Sequence, residues 1–261
     1  MTDSIPAMLA VGLAIVTAVM VATAISARVA GRVSVVDVAW GLGFVAVALA
    51  GALLGDGDQT RRWLLALLVT AWGGRLAWHI HRRSRGKGED PRYAEMLGES
   101  GFGTVVRKVF VVQGAAMWFI SLPVMAAAVS EVRWWPLVWV GAVLWLVGLV
   151  FETVGDAQLA AYRRDPDHAK KGPVMDRGLW AWTRHPNYFG DACVWWGGWL
   201  IGGLATGWLP GLLTVAAPVT MTYFLVFATG ARLLERTMMK RDGYPAYAAR
   251  TSMFFPLPPR R

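Results

Sequence analysis

Ionisable side chains recur inside the apolar stretches of this chain, where an isolated charge is costly. Asp37 lies in the apolar run Val-Val-Asp-Val-Ala-Trp-Gly, and Arg75 and His79 lie four residues apart in a later run. Residues four apart share one face of a helix. Ionisable groups at membrane depth usually face a cavity or a partner and mark functional sites. Asp37 is the strongest candidate for such a site, because its apolar run carries no other charge.

Glu152 and Asp156 form a second pair with four-residue spacing, at the end of another apolar run. Ion pairs at the membrane boundary that serve only the structure would explain Glu152 and Asp156 as well as a functional role does. Three basic segments are also present, at residues 82–93, 163–191 and 232–241. Such segments suit a phosphate-bearing ligand, and they equally suit anionic lipid headgroups. Both interpretations of the basic segments stay open at this point.

The residues that ordinarily hold metals or dinucleotides are scarce or misplaced. Cys193 is the single cysteine, which excludes an intramolecular disulfide and a cysteine-based metal cluster. His79 and His81 are two residues apart and point to different helix faces, so we expect no metal site. The run Gly41-Leu-Gly43-Phe-Val-Ala46 matches a loose dinucleotide fingerprint, but it lies inside an apolar run rather than between a strand and a helix. We therefore interpret its glycines as packing residues.

The composition is that of an integral membrane protein. Hydrophobic residues make up 56% of the 261 residues and charged residues 16%, against about 25% charged residues in soluble domains. This excludes disorder, collagen-like repeats and coiled coils. Runs of about 20 apolar residues predict transmembrane helices. We expect seven, at residues 5–27, 34–54, 63–81, 109–130, 134–154, 191–208 and 211–234. In the glycine-rich sixth, Gly198 and Gly202 are four apart, which predicts close helix packing.

The basic residues are distributed unevenly between the two sides of that arrangement. Three of them, Arg61, Arg62 and Arg133, fall on the side of the N-terminus, and 22 fall on the other side. Because positive residues collect in cytoplasmic loops, we predict an N-terminus outside and a cytoplasmic C-terminus. The net charge of +9 has the same explanation, and no nucleic-acid-binding motif accompanies it. The sequence thus predicts one all-α, polytopic membrane domain over residues 1–261.

One motif near the cytoplasmic end of the sixth predicted span is recognisable, Arg184-His-Pro-Asn-Tyr-Phe-Gly-Asp191, preceded by Gly178-Leu-Trp180. Further motifs begin at Asp37, Trp72, Gly88, Glu152 and Gly243. Together these motifs resemble the membrane steroid 5α-reductase family, in its bacterial branch. The Arg-His-Pro-x-Tyr-x-Gly part is shared with membrane methyltransferases, whereas the whole set of motifs is specific.

This resemblance implies a seven-helix reductase that uses NADPH to saturate the C=C bond of an enone, typically a 3-oxo-Δ4 steroid that becomes its 5α-dihydro product. In the family, a carboxylate of the second span and an aromatic hydroxyl near the end of the next span bind the enone oxygen. The matching residues here are Asp37 and His79, where animal members carry glutamate and tyrosine. Hydride addition to the β carbon places negative charge on that oxygen, so hydrogen-bond donors aimed at it lower the barrier. A protonated Asp37 and the His79 imidazole are the expected donors. Trp40, one turn from Asp37, either lines the substrate pocket or packs.

The resemblance also implies a cofactor site that faces the cytoplasm. Acidic and amide residues occupy family positions associated with NADPH, arginines suit its phosphates, and Tyr93 and Tyr188 suit stacking on a ring or donation to a phosphate. The predicted cofactor residues are Arg82, Arg92, Tyr93, Glu152, Asp156, Arg163, Lys171, Arg184, His185, Asn187, Tyr188, Asp191 and Arg236. We expect a bacterial inner-membrane protein whose lipophilic enone substrate enters from the lipid. No nucleic acid and no obligate protein partner is expected.

Two other classes of function compete with the reductase. A membrane methyltransferase that uses S-adenosylmethionine shares the Arg-His-Pro-x-Tyr-x-Gly segment and a glutamate downstream, here Glu235. Such enzymes usually carry paired glutamates at that place, whereas here Arg236 follows. A transporter or lipid-binding protein would use the intramembrane charges to line a path, but the sequence shows no inverted repeat.

Overall fold

The long apolar runs form helices, because in a bilayer each backbone N–H and C=O group needs a partner within its own segment. The computed structural model describes residues 1–98, 100–166, 172–228 and 230–259. Regular secondary structure in these ranges is helical, with one isolated bridge between Thr2 and Gly55. The predicted all-α class is confirmed.

Fourteen α-helices are found in these ranges. They are α1 (Ile5–Ala30), α2 (Val35–Leu54), α3 (Gln59–Ser84), α4 (Pro91–Leu97), α5 (Phe102–Val105), α6 (Val112–Ile120), α7 (Leu122–Ala128), α8 (Trp135–Arg164), α9 (Leu179–Trp182), α10 (Pro186–Gly202), α11 (Trp208–Thr214), α12 (Ala216–Tyr223), α13 (Ala231–Met238) and α14 (Tyr244–Arg250). Two π-helical turns, Val106–Val111 and Phe224–Ala228, and a 3₁₀ turn, Leu204–Thr206, join some of them.

Five helical segments of the described chain are long and apolar enough to cross a membrane, which supports the predicted membrane class. They are Ile5–Ala30, Val35–Leu54, Phe102–Ile120, Trp135–Arg164 and Trp208–Met238. The other two predicted spans correspond to α3, which carries several arginines, and to α10, which has 17 residues. The count of seven and the orientation of the termini stay predictions.

Two predicted boundaries differ from the structure. The sixth predicted span, 191–208, is a helix that begins at Pro186 and ends at Gly202, because proline is favoured in the first helical turn. The fifth, 134–154, continues to Arg164, so Asp156 and Arg163 lie within α8 rather than beyond it.

We expect reporter fusions to decide the topology. Because of the 3-to-22 asymmetry of basic residues, a fusion after residue 58 is expected to report the outside and a fusion after residue 170 the cytoplasm. Paired alkaline phosphatase and fluorescent-protein fusions measure this directly. Reporters on the same side at both positions would contradict the seven-span arrangement.

The described chain divides into two compact units. The first comprises Met1–Val138 and Trp199–Ala217, and the second comprises Trp139–Gly198 and Pro218–Arg261. The sequence predicted one domain, and that prediction remains untested. Each unit contains one candidate site.

In the first unit, α2 and α3 cross at two glycines. A Cβ atom added to Gly41 would lie 2.5 Å from the carbonyl oxygen of Gly73, and one added to Gly73 would lie 2.5 Å from that of Gly41. Arg62, early in α3, donates to the carbonyl of Ala52 at the end of α2, so the two helices are antiparallel. The interpretation of Gly41 as a packing residue is confirmed.

Arg61 lies next to Arg62 and is fully buried. Its guanidinium donates to the carbonyls of Ala127 (3.0 Å) and Ser130 (2.5 Å) and to the hydroxyl of Thr206 (2.7 Å). A guanidinium has five N–H groups and therefore serves several acceptors at once. The sequence predicted Arg61 as a loop residue on the side of the N-terminus. In the structure it lies in α3 and links that helix to α7, to the segment just after α7 and to the 3₁₀ turn.

In the second unit, α8 and α10 pack through glycines. A Cβ atom on Gly190 would lie 2.5 Å from the carbonyl oxygen of Gly148, and one on Gly197 would lie 2.6 Å from that of Gly141. Gly198, for which close packing was predicted, has open space around it, whereas Gly202 of the first unit packs on the Pro123 carbonyl. The prediction is therefore right for Gly202 and wrong for Gly198.

The segment after α14 is bonded to the chain just before α10. The Thr183 hydroxyl donates to the carbonyl of Phe254 at 2.9 Å, and the backbone N–H of Arg184 donates to the carbonyl of Ser252 at 2.8 Å. These contacts lie at the beginning of the motif that starts at Arg184. They fix the start of α10 in the second unit.

Candidate functional site

Asp37 lies in the first turn of α2 and accepts hydrogen bonds from two residues of α4. The Tyr93 hydroxyl donates to Oδ1 at 2.6 Å, and Nη2 of Arg92 donates to Oδ2 at 2.9 Å. The prediction that Asp37 has a specific role is consistent with this environment. The structure brings Arg92 and Tyr93 to the predicted catalytic carboxyl group, and their predicted contact with the cofactor stays a prediction.

Gln113 completes this group from α6. Its Nε2 donates to the Tyr93 hydroxyl oxygen at 3.1 Å, so the Tyr93 proton is directed toward Asp37. Gln113 lies two residues after the end of the π-helical turn Val106–Val111, and such turns are frequent at functional sites. Sequence reasoning missed Gln113, although a single amide in an otherwise apolar span was a signal that pointed to it.

The surroundings of Tyr93 keep its phenol protonated. Burial and the charge of Asp37 raise the pKa of Tyr93 well above its ordinary value. The hydrogen bond to Asp90, together with the charge of Asp37, raises the pKa of Arg92. At neutral pH the group therefore consists of a neutral phenol and a positive guanidinium beside the Asp37 carboxyl group.

His79 lies on α3, on the same side of the glycine crossing as Asp37. Asp37 is four residues from Gly41, and His79 is six residues from Gly73, so they lie about 6 Å and 9 Å from the crossing along their helices. Trp40 packs edge-to-face on Phe44, with ring centroids 5.2 Å apart. The packing alternative for Trp40 is thus observed, and its contact with substrate stays a prediction.

In the second unit, the predicted cofactor residues of α8 and α10 lie along one helix–helix seam. A Cβ on Gly190 would lie 3.0 Å from Cγ of Glu152, and one on Gly155 would lie 3.7 Å from the backbone nitrogen of Asn187. Asp191 follows Gly190, and Asp156 follows Gly155. The seam therefore includes Glu152 and the start of α10 at Asn187, and next to its glycines in sequence Asp156 is half-buried and Asp191 is buried.

Arg184 and His185 are engaged with Glu235 of α13. Arg184 binds the Glu235 carboxylate through Nε at 2.6 Å and Nη2 at 2.9 Å, and His185 Nε2 lies 3.1 Å from the same carboxylate. Nη1 of Arg184 donates to the carbonyls of Ala248 (2.9 Å) and Thr251 (2.5 Å). Burial opposes the charge of Arg184, but Glu235 raises its pKa overall. The structure thus uses this arginine to hold the C-terminal segment, and its cofactor role remains a prediction.

The remaining predicted cofactor residues are mostly exposed. The side chains of Arg82, Arg163 and Arg236 are exposed, and Arg82 lies over the ring of Trp78. Tyr188 stacks on His185 with ring planes 7° apart. Lys171 lies outside the described residues. Among the described residues no cluster of metal ligands is found.

Comparison with known proteins shows the family of the chain but indicates neither a reaction nor a ligand. A model of the DUF1295 family, described as proteins of unknown function, matches residues 23–251. No curated protein and no solved structure matches the chain. Because the match covers most of its length, the chain belongs to the DUF1295 family.

Proposed function

We propose that this protein is a membrane reductase that uses NADPH to saturate the C=C bond of a lipophilic enone such as a 3-oxo-Δ4 steroid. The observation that carries the proposal is the 2.6 Å hydrogen bond between Tyr93 and Asp37. The resemblance to steroid 5α-reductases calls for a carboxyl group and an aromatic hydroxyl at the enone oxygen.

Tyr93 supplies the aromatic hydroxyl that the sequence comparison did not find at His79. When Asp37 is protonated, its O–H donates to the Tyr93 oxygen, and the Tyr93 hydroxyl is released to donate to a substrate carbonyl. Gln113 donates to the same Tyr93 oxygen and keeps the ring in place. In this arrangement Tyr93 and Asp37 stabilise the negative charge that develops on the enone oxygen. His79 remains a proposed second donor.

The donor set of the second unit fits NADPH. The carboxylates of Glu152, Asp156 and Asp191 can accept hydrogen bonds from ribose hydroxyls and from the carboxamide, while the Asn187 amide can donate. Arg163 is exposed and lies seven residues after Asp156 on α8, two turns along the same face, where a guanidinium suits a phosphate. When bound there, NADPH supplies the hydride for the β carbon. The residues of this chain supply position and charge.

The experiment that tests the proposal follows NADPH oxidation by the purified protein in nanodiscs with a 3-oxo-Δ4 steroid. Loss of NADPH absorbance with formation of the 5α-dihydro product is the expected result. Thermal shift with S-adenosylmethionine is the parallel test of the methyltransferase alternative. Stabilisation by S-adenosylmethionine, with none by NADPH, would contradict the proposal.

Cofactor choice gives a second prediction. Because a 2′-phosphate adds charge for Arg163 to bind, NADPH is expected to bind about 10-fold or more tightly than NADH. Arg163→Ala is expected to remove that difference, and Asn187→Ala to weaken the binding of both cofactors. Titration calorimetry measures the affinities. Arg164→Ala is the matched control, since Arg164 is an exposed neighbour, and equal wild-type affinities for the two cofactors would refute the phosphate argument.

A further inference from the structure

The turn between α1 and α2 and the loop between α3 and α4 exchange hydrogen bonds. Nη1 of Arg32 donates to the carbonyls of Ser84 and Lys87, both at 3.2 Å. In return, the Glu89 carboxylate accepts the backbone N–H groups of Val33 and of Ser34, the latter at 3.0 Å. We call this reciprocal arrangement of Arg32 and Glu89 the clasp. It joins two segments that are more than 50 residues apart in sequence.

Glu89 takes the place of a helix cap for α2. Ser34, the residue at the N-cap position, makes no side-chain capping bond, and the first N–H groups of a helix need acceptors. A carboxylate at this end also interacts favourably with the helix dipole. Burial favours the neutral form, but the N–H groups of Val33 and Asp90 outweigh it and lower the pKa of Glu89. The clasp is therefore charged at neutral pH.

The clasp is connected to the candidate site through Asp90. The Oδ1 atom of Asp90 accepts the backbone N–H of Arg92 at 2.9 Å and its Nε at 3.0 Å, which caps α4 and aims the guanidinium. Nη2 of the same Arg92 reaches Asp37. The four consecutive residues 89–92 therefore contact both the N-terminus of α2, through Glu89, and the carboxyl group of Asp37, through Arg92.

α4 depends on such an anchor. It has seven residues, and isolated helices of that length do not persist in water. The loop before it contains Gly86, whose φ of +74° lies in the left-handed region, and Gly88. Without Glu89 these glycines allow the loop many conformations, and Arg92 and Tyr93 lose their fixed position.

We propose that Glu89 is a positioning residue that holds Arg92 and Tyr93 against Asp37. The expected effect of Glu89 on the rate of catalysis rests on the function proposed above. The expected effect of Glu89 on the order of α4 does not. Glu89 acts through these neighbours and is not itself placed at the reacting atoms.

Hydrogen exchange of the full-length protein in nanodiscs tests the order of α4. In Glu89→Ala, the amide hydrogens of residues 90–97 are expected to exchange about 10-fold faster than in the wild type, because a charge-assisted anchor is lost. Glu89→Gln, which retains one carbonyl acceptor, is expected to be intermediate. Glu95→Gln, which removes an exposed carboxylate from α4 itself, is the control and leaves exchange unchanged. Wild-type exchange in Glu89→Ala would overturn the proposal.

Kinetics of the same variants separate positioning from general destabilisation. We expect the kcat for the enone to fall about 10-fold in Glu89→Ala, with an unchanged Kd for NADPH and unchanged exchange in α8. Faster exchange of α4 with an unaltered kcat would overturn the positioning role. If the wild type reduces no enone but Glu89→Ala still loosens α4, the proposed function fails and the structural part of the inference stands.

Discussion

Asp37→Leu is expected to lower the single-turnover rate of enone reduction by about 10²-fold or more, the scale on which loss of one oxyanion donor acts. Leucine fills a similar volume but accepts no hydrogen bond from Tyr93 or Arg92, so the Tyr93 hydroxyl loses the partner that orients it. The measurement is rapid-mixing oxidation of bound NADPH with a 3-oxo-Δ4 steroid.

Three further variants show whether the loss is chemical or structural. Asp37→Asn is expected to retain part of the activity, since an amide both accepts from Tyr93 and donates. Tyr93→Phe is expected to lose about as much rate as Asp37→Leu, and the two losses are expected not to add in the double variant, because the residues act as one unit. NADPH affinity is expected to stay near the wild-type value throughout. Turnover of Asp37→Leu at the wild-type rate would make Asp37 a structural residue.

Gly41→Leu is expected to have the largest effect on stability. A Cβ at this position would already meet the Gly73 carbonyl oxygen at 2.5 Å, which is backbone and cannot rotate away. The two helices must therefore separate, at a cost of about 3 kcal/mol or more. Thermal unfolding in detergent, followed by tryptophan fluorescence, measures the loss.

Gly74→Leu is the matched control for this crossing. Gly74 is adjacent to Gly73 on α3 but has open space where a Cβ would lie, so the substitution is expected to be neutral or slightly stabilising, since leucine favours helix over glycine. Equal unfolding temperatures of Gly41→Leu and Gly74→Leu would show that the crossing is not the determinant of stability.

Much of the helical framework could be predicted from local composition. Uninterrupted apolar runs are long enough to identify α1, α2 and α8, and a glycine pair inside an apolar run indicates close packing, as Gly41 does. The limits of α8 and α10 could not be predicted in the same way. Glu152 and Asp156 lower the hydropathy of a helix that nevertheless continues, since helix hydrogen bonding does not end where the apolar composition ends.

The candidate site could be predicted only in part, because its partners come from distant segments. Asp37 was identified because an ionisable carboxyl group inside an apolar run is energetically costly. Its partner Tyr93 lies 56 residues away in a short polar helix, and neither hydrophobic periodicity nor spacing links the two. Gln113 lies in the first turn of the helix that follows a π-helical turn, and no local propensity in the sequence predicts that turn.

The family motifs identified candidate site residues but did not indicate their hydrogen-bond partners. Arg184 and His185 were expected to contact the cofactor, and the structure pairs both residues with the Glu235 carboxylate. A guanidinium has the same chemistry toward a phosphate as toward a carboxylate, so the sequence alone had no means of choosing between them.

The anchoring of the C-terminal segment has a consequence for biosynthesis. The acceptors of the Arg184 guanidinium and of the Thr183 hydroxyl lie 51 to 71 residues later in the chain. While the ribosome is still translating residues 203–234, α10 is already made but Arg184 lacks the Glu235 carboxylate, and until Thr251 is added it lacks that carbonyl partner as well. The contacts of Arg184 are therefore completed only late in translation, and a nascent chain interrupted before Glu235 leaves this guanidinium without its carboxylate partner.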